Sequence, residues 1–445
     1  MGALLALGVI YWDPAQMGWA IFVLGLSSAI LKWPQVGLLA FVAVANLLPF
    51  AVVPIRVVYS FTLVDITLSV LLVSWLLRVL TREWSLEGSV LDGFLLLYLG
   101  LAVVSFVLGL TYSISPERVR LFLKSINSTL LFFSVINCVR STETLRRVLS
   151  ALLVGGLLAS AAALVLLYLP APTAERLLSS LGPLGYPTGP NVLRPIADTE
   201  ILRAIGTSVD PNVLGGLLMM ASALLLAQAL SPSPVLDRRL LWLALAPMVA
   251  ALLLTHSRSA LGGFVVAASL VGVLRDRRAL ILLLVAAVAL PFIPQAQVLL
   301  GRLQSGLAFQ DRAALMRLDE YRNALNTIAT YPWFGIGFGE TPSIDLFLGV
   351  SSIYLLIGQE MGLVGMTAFL LVIGAAAWQI VAGLATAPSE ESRGLLLSLS
   401  APLLAAASAG LLDHYYVNIV FPHMVGLFWL YVGLAMVAVR LQTKT

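Results

Sequence analysis

The sequence predicts an all-α polytopic membrane protein, and three observations lead there. Hydrophobic residues fill 60% of the 445 positions and charged residues only 11%, with a mean hydropathy of +0.99. A soluble domain carries about 25% charge to keep its surface solvated. Apolar runs long enough to cross about 30 Å of hydrocarbon recur along the whole chain. These runs are continuously apolar rather than alternating, which excludes a spanning β-barrel. No stretch large enough for a soluble domain interrupts them, so residues 1–445 read as a single transmembrane domain.

In order, spans are expected near 17–31, 35–53, 63–80, 92–112, 120–138, 146–168, 211–230, 240–255, 259–273, 279–295, 352–383, 394–412 and 418–439. Residues 3–12 add a possible short segment, giving about 12–14 transmembrane helices. The apolar run 4–12 has no basic residue before it, so a cleaved signal peptide is not expected. The single cysteine, Cys138, excludes an internal disulfide and a cysteine metal cluster.

Lys32, Arg78, Arg82, Arg140, Arg146, Arg147, Arg238, Arg239, Arg275, Arg277, Arg278, Arg393, Arg440 and Lys444 alternate with the spans so that they share one face, cytoplasmic by the positive-inside rule. The net charge of +4 and the pI near 9.3 then reflect membrane orientation rather than nucleic-acid binding. Two long loops, 169–210 and 296–350, fall on the extracytoplasmic face. Most of the remaining basic residues lie in or beside them: Arg176, Arg194, Arg203, Arg302, Arg312, Arg317 and Arg322, with Arg118, Arg120, Lys124 and Arg258 at span mouths. Short outer loops normally avoid such charge. A basic outer cavity implies an anionic ligand; the plainer reading is that long loops escape the rule.

Loop 169–210 is dense in Pro and Gly, which forbids a long helix and predicts an irregular cap. It ends in Arg203-Ala-Ile-Gly-Thr-Ser-Val-Asp-Pro-Asn212. Asp210 and Pro211 suit the N-cap and first turn of the next span, and a helix N-terminus beneath Arg203 favours an anion. Snorkelling into headgroups is the ordinary alternative for that arginine. Loop 296–350 carries an amphipathic helix over 311–330, with Ala314, Leu318, Tyr321, Leu325 and Ile328 on one face and Arg312 and Arg322 off it. Pro332 stops it before Trp333-Phe-Gly-Ile-Gly-Phe-Gly339, where glycines permit tight turns. No strand–turn–helix unit surrounds these glycines, so they are not a nucleotide fingerprint.

Thr255-His256-Ser257-Arg258 is a very short outward turn. An arginine at that rim is costly unless a carboxylate or phosphate meets it. Asp413-His414 lies at the outer end of another span and offers proton transfer, since histidine titrates near neutral pH; the alternative is an interfacial polar belt. Glu360, inside an apolar stretch, suits pairing with an outer arginine or capping a break near Gly358 and Gly362. With only His256, His414 and His423 and no cysteine partner, no metal-ligand pattern emerges.

Taken in order, the Arg203–Asn212 segment, Thr-His-Ser-Arg-Ser-Ala-Leu-Gly262, the helix leading into Tyr331-Pro-Trp-Phe-Gly-Ile-Gly-Phe-Gly339, and Tyr354…Glu360-Met-Gly-Leu-Val-Gly365 resemble the O-antigen ligase and O-antigen polymerase superfamily of bacterial inner-membrane glycan transferases. The motifs cover about 203–365. The resemblance implies a fold like the GT-C glycosyltransferase class and transfer of a glycan at the outer leaflet of the plasma membrane. The implied donor is undecaprenyl-diphosphate-linked and the acceptor a hydroxyl on a lipid A-core, another glycan or a comparable carrier. No nucleotide sugar, cofactor or metal is implied. Arg203 and Arg258 match the family's diphosphate-contacting arginines, and both offer the charged fork that suits phosphate. Arg312 and Arg322 join them as candidates for the same anion, with Asn212, His256, Ser257, Glu340, Tyr354 and Glu360 as further site candidates.

Aligned on Glu360 and Gly362, Ser351 and Ser352 stand where ligases of this type usually carry His-Asn. The general base then has to come from His414, oriented by Asp413, or from His256 or Glu340; His414 is favoured. The departure suits a polymerase, or a ligase with another acceptor, better than a strict lipopolysaccharide ligase. The competing class is a transporter or flippase of a lipid-linked anionic glycan. Internal repeats and midplane ionisable groups would mark it, and neither is evident.

Overall fold

The computed structural model describes residues 13–54, 61–111, 115–189, 192–196, 199–292, 294–308, 312–338 and 350–443. Sixteen described α-helices follow one another, with no named strand among the described residues: α1 (Pro14–Lys32), α2 (Pro34–Leu47), α3 (Leu63–Leu80), α4 (Asp92–Gly109), α5 (Pro116–Cys138), α6 (Thr142–Tyr168), α7 (Ala171–Ser179), α8 (Pro211–Ala229), α9 (Arg238–Leu254), α10 (Arg258–Leu274), α11 (Arg278–Ala289), α12 (Pro294–Leu307), α13 (Arg312–Thr330), α14 (Ile353–Thr386), α15 (Glu390–Ala409) and α16 (Pro422–Gln442). Each expected span in the described residues falls on one of these helices. Eight are long and apolar enough to cross a membrane: α3, α4, α5, α6, α8, α14, α15 and α16. The other expected spans lie on α1, α2, α9, α10 and α11, whose apolar lengths are shorter. The chain is an all-α polytopic membrane protein.

Local chemistry sets many of the helix starts. Asp13, Asp210, Asp237, Ser141 and Ser389 cap α1, α8, α9, α6 and α15 with side-chain oxygens. Thr62 and Asp65 form a reciprocal capping box on α3. As expected, Asp210 accepts from the N–H groups of Asn212 and Val213, with Pro211 at the first turn.

α8 and α16 form the centre: 94% and 83% of their spanning windows are buried, against 33% for α4 at the periphery. Small residues allow close packing, as where Gly216 lies beneath the Tyr415 ring and Tyr416 Oη donates to Gly216 O at 2.8 Å.

The structure departs from the expected spans in three places. Helix α2 ends at Leu47 rather than 53, because Ala51–Val53 turn into backbone pairings with Leu184, Phe61 and Leu63. The 279–295 span stops at Ala289, and a single 3-10 turn over Leu290–Phe292 carries Pro291. Helix α12 was not anticipated within loop 296–350. Helix α14 does break where a break was expected, at Gly362 (φ 66°, ψ −171°). That break is filled by the segment after α13: the N–H groups of Ile336 and Gly337 donate to Gln359 O and Glu360 O, and Leu363 N–H donates to Pro332 O, at 2.7–3.0 Å. Gly335, Gly337 and Gly362 all have positive φ. A Cβ on Gly335 would strike Gln359 O, and one on Gly362 would strike Trp333 O, so this backbone-on-backbone staple requires glycine. Phe338 then packs against Phe122 and Phe106 of the α4–α5 pair.

The loops sort to two ends. At one end Arg146 meets Glu391 (3.1 Å) and Pro234 O, Arg275 meets Glu390 (2.5 Å) and Leu230 O, and Arg440 meets Glu87 (3.5 Å) and the carbonyls of Ile136 and Val139. These are the short-loop basic residues whose spacing put them on a common face. At the other end Val52 pairs with Leu184, Arg203 with Thr255, Arg302 with His256, and Tyr321 with Ser351 and Leu411.

Candidate functional site

The site grows from the three-residue turn between α9 and α10. His256 adopts φ 51°, a left-handed conformation uncommon outside glycine, and the turn's side chains are buried. Thr255 Oγ1 accepts from Ser257 N–H, and Ser257 starts α10 with Arg258 as its first residue. Arg203 reaches this turn from the preceding loop: its Nε donates to Thr255 O and its Nη2 to Asn212 Oδ1, both at 2.7 Å. The chain holds it there by main-chain bonds as well, Arg203 N to Arg194 O and Ala204 N to Leu254 O. The guanidinium thus lies between the first turn of α8, whose N-terminus favours an anion, and the turn that joins α9 to α10.

Two further arginines close on the same turn. Arg258 Nη1 donates to Arg302 O at 3.0 Å, and Arg302 Nη1 donates to His256 O at 3.4 Å. Burial pulls the Arg203 guanidinium down to about 10, and the charges of Arg302 and Arg258 push the same way, against Asp210 and Asp413. His256 falls to about 4, first by burial and then by the cations Arg302 and Arg203, so its imidazole is neutral at ordinary pH. An anion placed among these groups would relieve their mutual repulsion.

Asp413 lies on the far side of α10. Its Oδ2 accepts from the Ser259 hydroxyl and its Oδ1 from the His414 N–H, both at 3.0 Å. The His414 ring stands 3.8 Å away at Nδ1. Burial raises the Asp413 carboxyl, while His414 and Arg317 draw it down. Tyr321 of α13 ties this corner together, its hydroxyl 2.9 Å from Ser351 O and 2.8 Å from Leu411 O. Buried Glu320 accepts from Ser351 N–H at 2.9 Å. The position where ligases of this type usually carry a histidine thus lies across one hydroxyl from the strand of loop that bears Asp413 and His414.

The structure brings together Arg203, Asn212, His256, Ser257 and Arg258, with Asp413 and His414 joined to them through Ser259 and its 3.2 Å contact to Ser257 Oγ. It adds Arg302, from the unanticipated helix α12. Other candidates go elsewhere. Arg322 is 66% exposed and pairs with Asp319 on its own helix. Tyr354 donates to Ala407 O at 2.9 Å, tying α14 to α15. Glu360 belongs to the Gly362 break, its carbonyl accepting from Gly337. Glu340 and the Arg312 side chain lie outside the described residues. Arg302 was legible only as one of several loop arginines, since nothing local in the sequence ties it to a turn 44 residues earlier.

No curated protein matches the chain. Residues 243–370 match the family model described as O-antigen ligase. The matched segment holds the His256–Arg258 turn, α10, Arg302, α13 and the Gly362 break, while Arg203, Asn212, Asp413 and His414 lie outside it. The motif resemblance and this match agree: over residues 243–370 the chain is similar to the O-antigen ligase family.

Proposed function

We propose that the protein transfers a glycan from a polyprenyl diphosphate carrier, undecaprenyl diphosphate, to a hydroxyl acceptor at the outer leaflet of the bacterial plasma membrane, without a metal. The match of residues 243–370 to the O-antigen ligase family supports glycan transfer of the ligase or polymerase type. The observation that carries the finer reading is the convergence of Arg203, Arg258 and Arg302 on one turn, at the end of the bundle opposite the paired arginines.

In this reading the acceptor hydroxyl attacks the anomeric carbon of the glycan. The bond from that carbon to the diphosphate oxygen breaks, and the diphosphate departs with the electron pair. Guanidinium groups stabilise the charge that grows on the leaving group, the kind of preset electrostatic contribution that dominates many transfer reactions. The acceptor proton goes to His414 Nδ1 or Nε2, with the Asp413 carboxylate 3.8 Å from Nδ1 favouring the imidazolium that results. Ser259 fixes that carboxylate.

The test is transfer in vitro with purified protein, an undecaprenyl-diphosphate-linked glycan and a glycan or glycolipid acceptor, comparing the parent with Arg258→Ala. Release of undecaprenyl diphosphate with extension or attachment of the glycan, lost in the variant, is expected. Movement of the intact lipid-linked glycan between leaflets without release would overturn the transferase in favour of transport.

A further inference from the structure

Between α10, α14, α15 and α16 runs a cavity of about 250 Å³ that the site above does not use. Its floor is buried and apolar, formed by Phe369, Ile380, Phe428 and Val432, and its rims at Leu274, Ala377, Val381 and Leu404 are exposed. Small side chains at Ala376, Ala377, Ser400 and Ala407 make the width. One end lies at Ile353, Tyr354 and Ala407; the lining on α14 then continues from Phe369 to Leu384, about 22 Å at 1.5 Å per residue. That is a large part of the roughly 30 Å hydrocarbon thickness. The groove is therefore long, narrow and open sideways, where the bundle meets lipid.

Its upper end is tied to the candidate site. Ile353 N–H donates to Gly410 O at 2.8 Å, three residues before Asp413. Tyr321 bridges Ser351 and Leu411 directly above. Helix α10 begins at Arg258 in the arginine cluster and reaches the groove at Leu270 and Leu274. Cationic groups beyond one end and a largely apolar groove below them are complementary to a molecule with an anionic head and a single long hydrocarbon tail.

We propose that this groove seats the polyisoprenoid tail of the lipid-linked donor; this rests on the reading that the donor is a polyprenyl diphosphate. Moving a tail from bilayer to groove exchanges one hydrocarbon surface for another, so the hydrophobic effect contributes little and close packing contributes most. The groove's value is orientation. A tail held along α14 presents its diphosphate to the arginines in one attitude, which removes freedom before reaction.

Two measurements on the purified full chain in lipid test this separately from the transferase reading. The first is photo-crosslinking with a diazirine-bearing polyprenyl phosphate. Adducts on α10, α14, α15 and α16 groove residues, competed by undecaprenyl diphosphate and lost in Ala377→Trp, are expected. Ala377 is exposed, so the indole can lie across the groove without repacking the core; Leu371→Trp, elsewhere on α14, keeps the adducts. Adducts spread over all lipid-facing helices, or not displaced by competitor, or replaced by crosslinks to a second copy, overturn the seat even if transfer proceeds. The second is transfer itself. Ala377→Trp should raise KM for the undecaprenyl donor about tenfold with little change in kcat, and leave a donor with a geranyl tail unaffected. An unchanged KM overturns the seat. Groove adducts in a parent protein that releases no diphosphate would leave the seat standing and sink the transferase.

Discussion

The two ends of this bundle use arginine differently. At the end holding Arg146, Arg275 and Arg440, each guanidinium meets a carboxylate on another helix or loop and caps exposed carbonyls there. These pairs join loops that are far apart in the chain. At the other end Arg203, Arg258 and Arg302 crowd around a buried turn, bonded to carbonyl oxygens and to one asparagine amide. Cations that neutralise neighbours hold a fold together. Arg203 feels the cations Arg302 and Arg258 as well as the carboxylates Asp210 and Asp413, and an anion held there adds to the attractive side of that balance. The difference lies in what each cluster surrounds: junctions between helices and loops at one end, a buried turn at the other.

The comparison breaks most readily at Arg203 and Arg258. Replacing either by Ala should cut transfer by about 10²–10³-fold, with the protein still extracted as a folded membrane protein. Transfer within a few-fold of the parent would remove the distinction between the two ends. His414→Ala should slow turnover by about 10²-fold, measured as initial rate at saturating acceptor. Near-normal rates would move the proton acceptor to the neutral imidazole of His256.

Gly362→Ala tests the staple rather than the site. A side chain there would hold an unfavourable φ and meet Trp333 O, a cost of about 1–3 kcal/mol or more. It should show as a lowered unfolding midpoint in detergent, and an unchanged midpoint would mean the staple is not needed.

His256 gives a pH signature. Its folded value near 4 lies below the ordinary 6.5, so the fold favours the neutral ring. Its contribution is complete above about pH 6.5 and drains away as pH falls towards 4. Thermal stability should therefore drop across that window, and His256→Gln should flatten the drop. The smallest effects belong to the paired end and the exposed helix face. Arg275→Ala should cost no more than about 1 kcal/mol, and Arg322→Ala should leave transfer unchanged. A transfer defect in Arg322→Ala would bring α13's outer face into the site.

Much of this was legible in the chain. Continuous apolar runs, a capping Asp210-Pro211 and the alternation of short-loop arginines report local physics, and local physics survives folding. The amphipathic spacing of 311–330 yielded α13 almost to the residue. Helix α12 was hidden because Pro291, Pro294 and two glycines read as loop punctuation, although proline is at home in a helix's first turn. The Arg302–His256 and Ser259–Asp413 contacts join residues 46 and 154 positions apart. No periodicity encodes such distances. The segment Arg203–Asn212 was readable because both partners of its hydrogen bond lie within one motif, whereas Arg302 could only be counted among loop charges.

The bond from Arg203 to Asn212 carries one more consequence. A guanidinium has five N–H donors in a rigid plane, and the protein engages it at Nε and Nη2. Those two anchors fix the plane and leave Nη1 and the second Nη2 hydrogen as a matched pair of donors. A freely rotating arginine must surrender its rotamers when it grips an anion, whereas this one has already done so during folding. Asn212 thus acts as a preorganising brace: trimming it should loosen anion capture without removing a single positive charge.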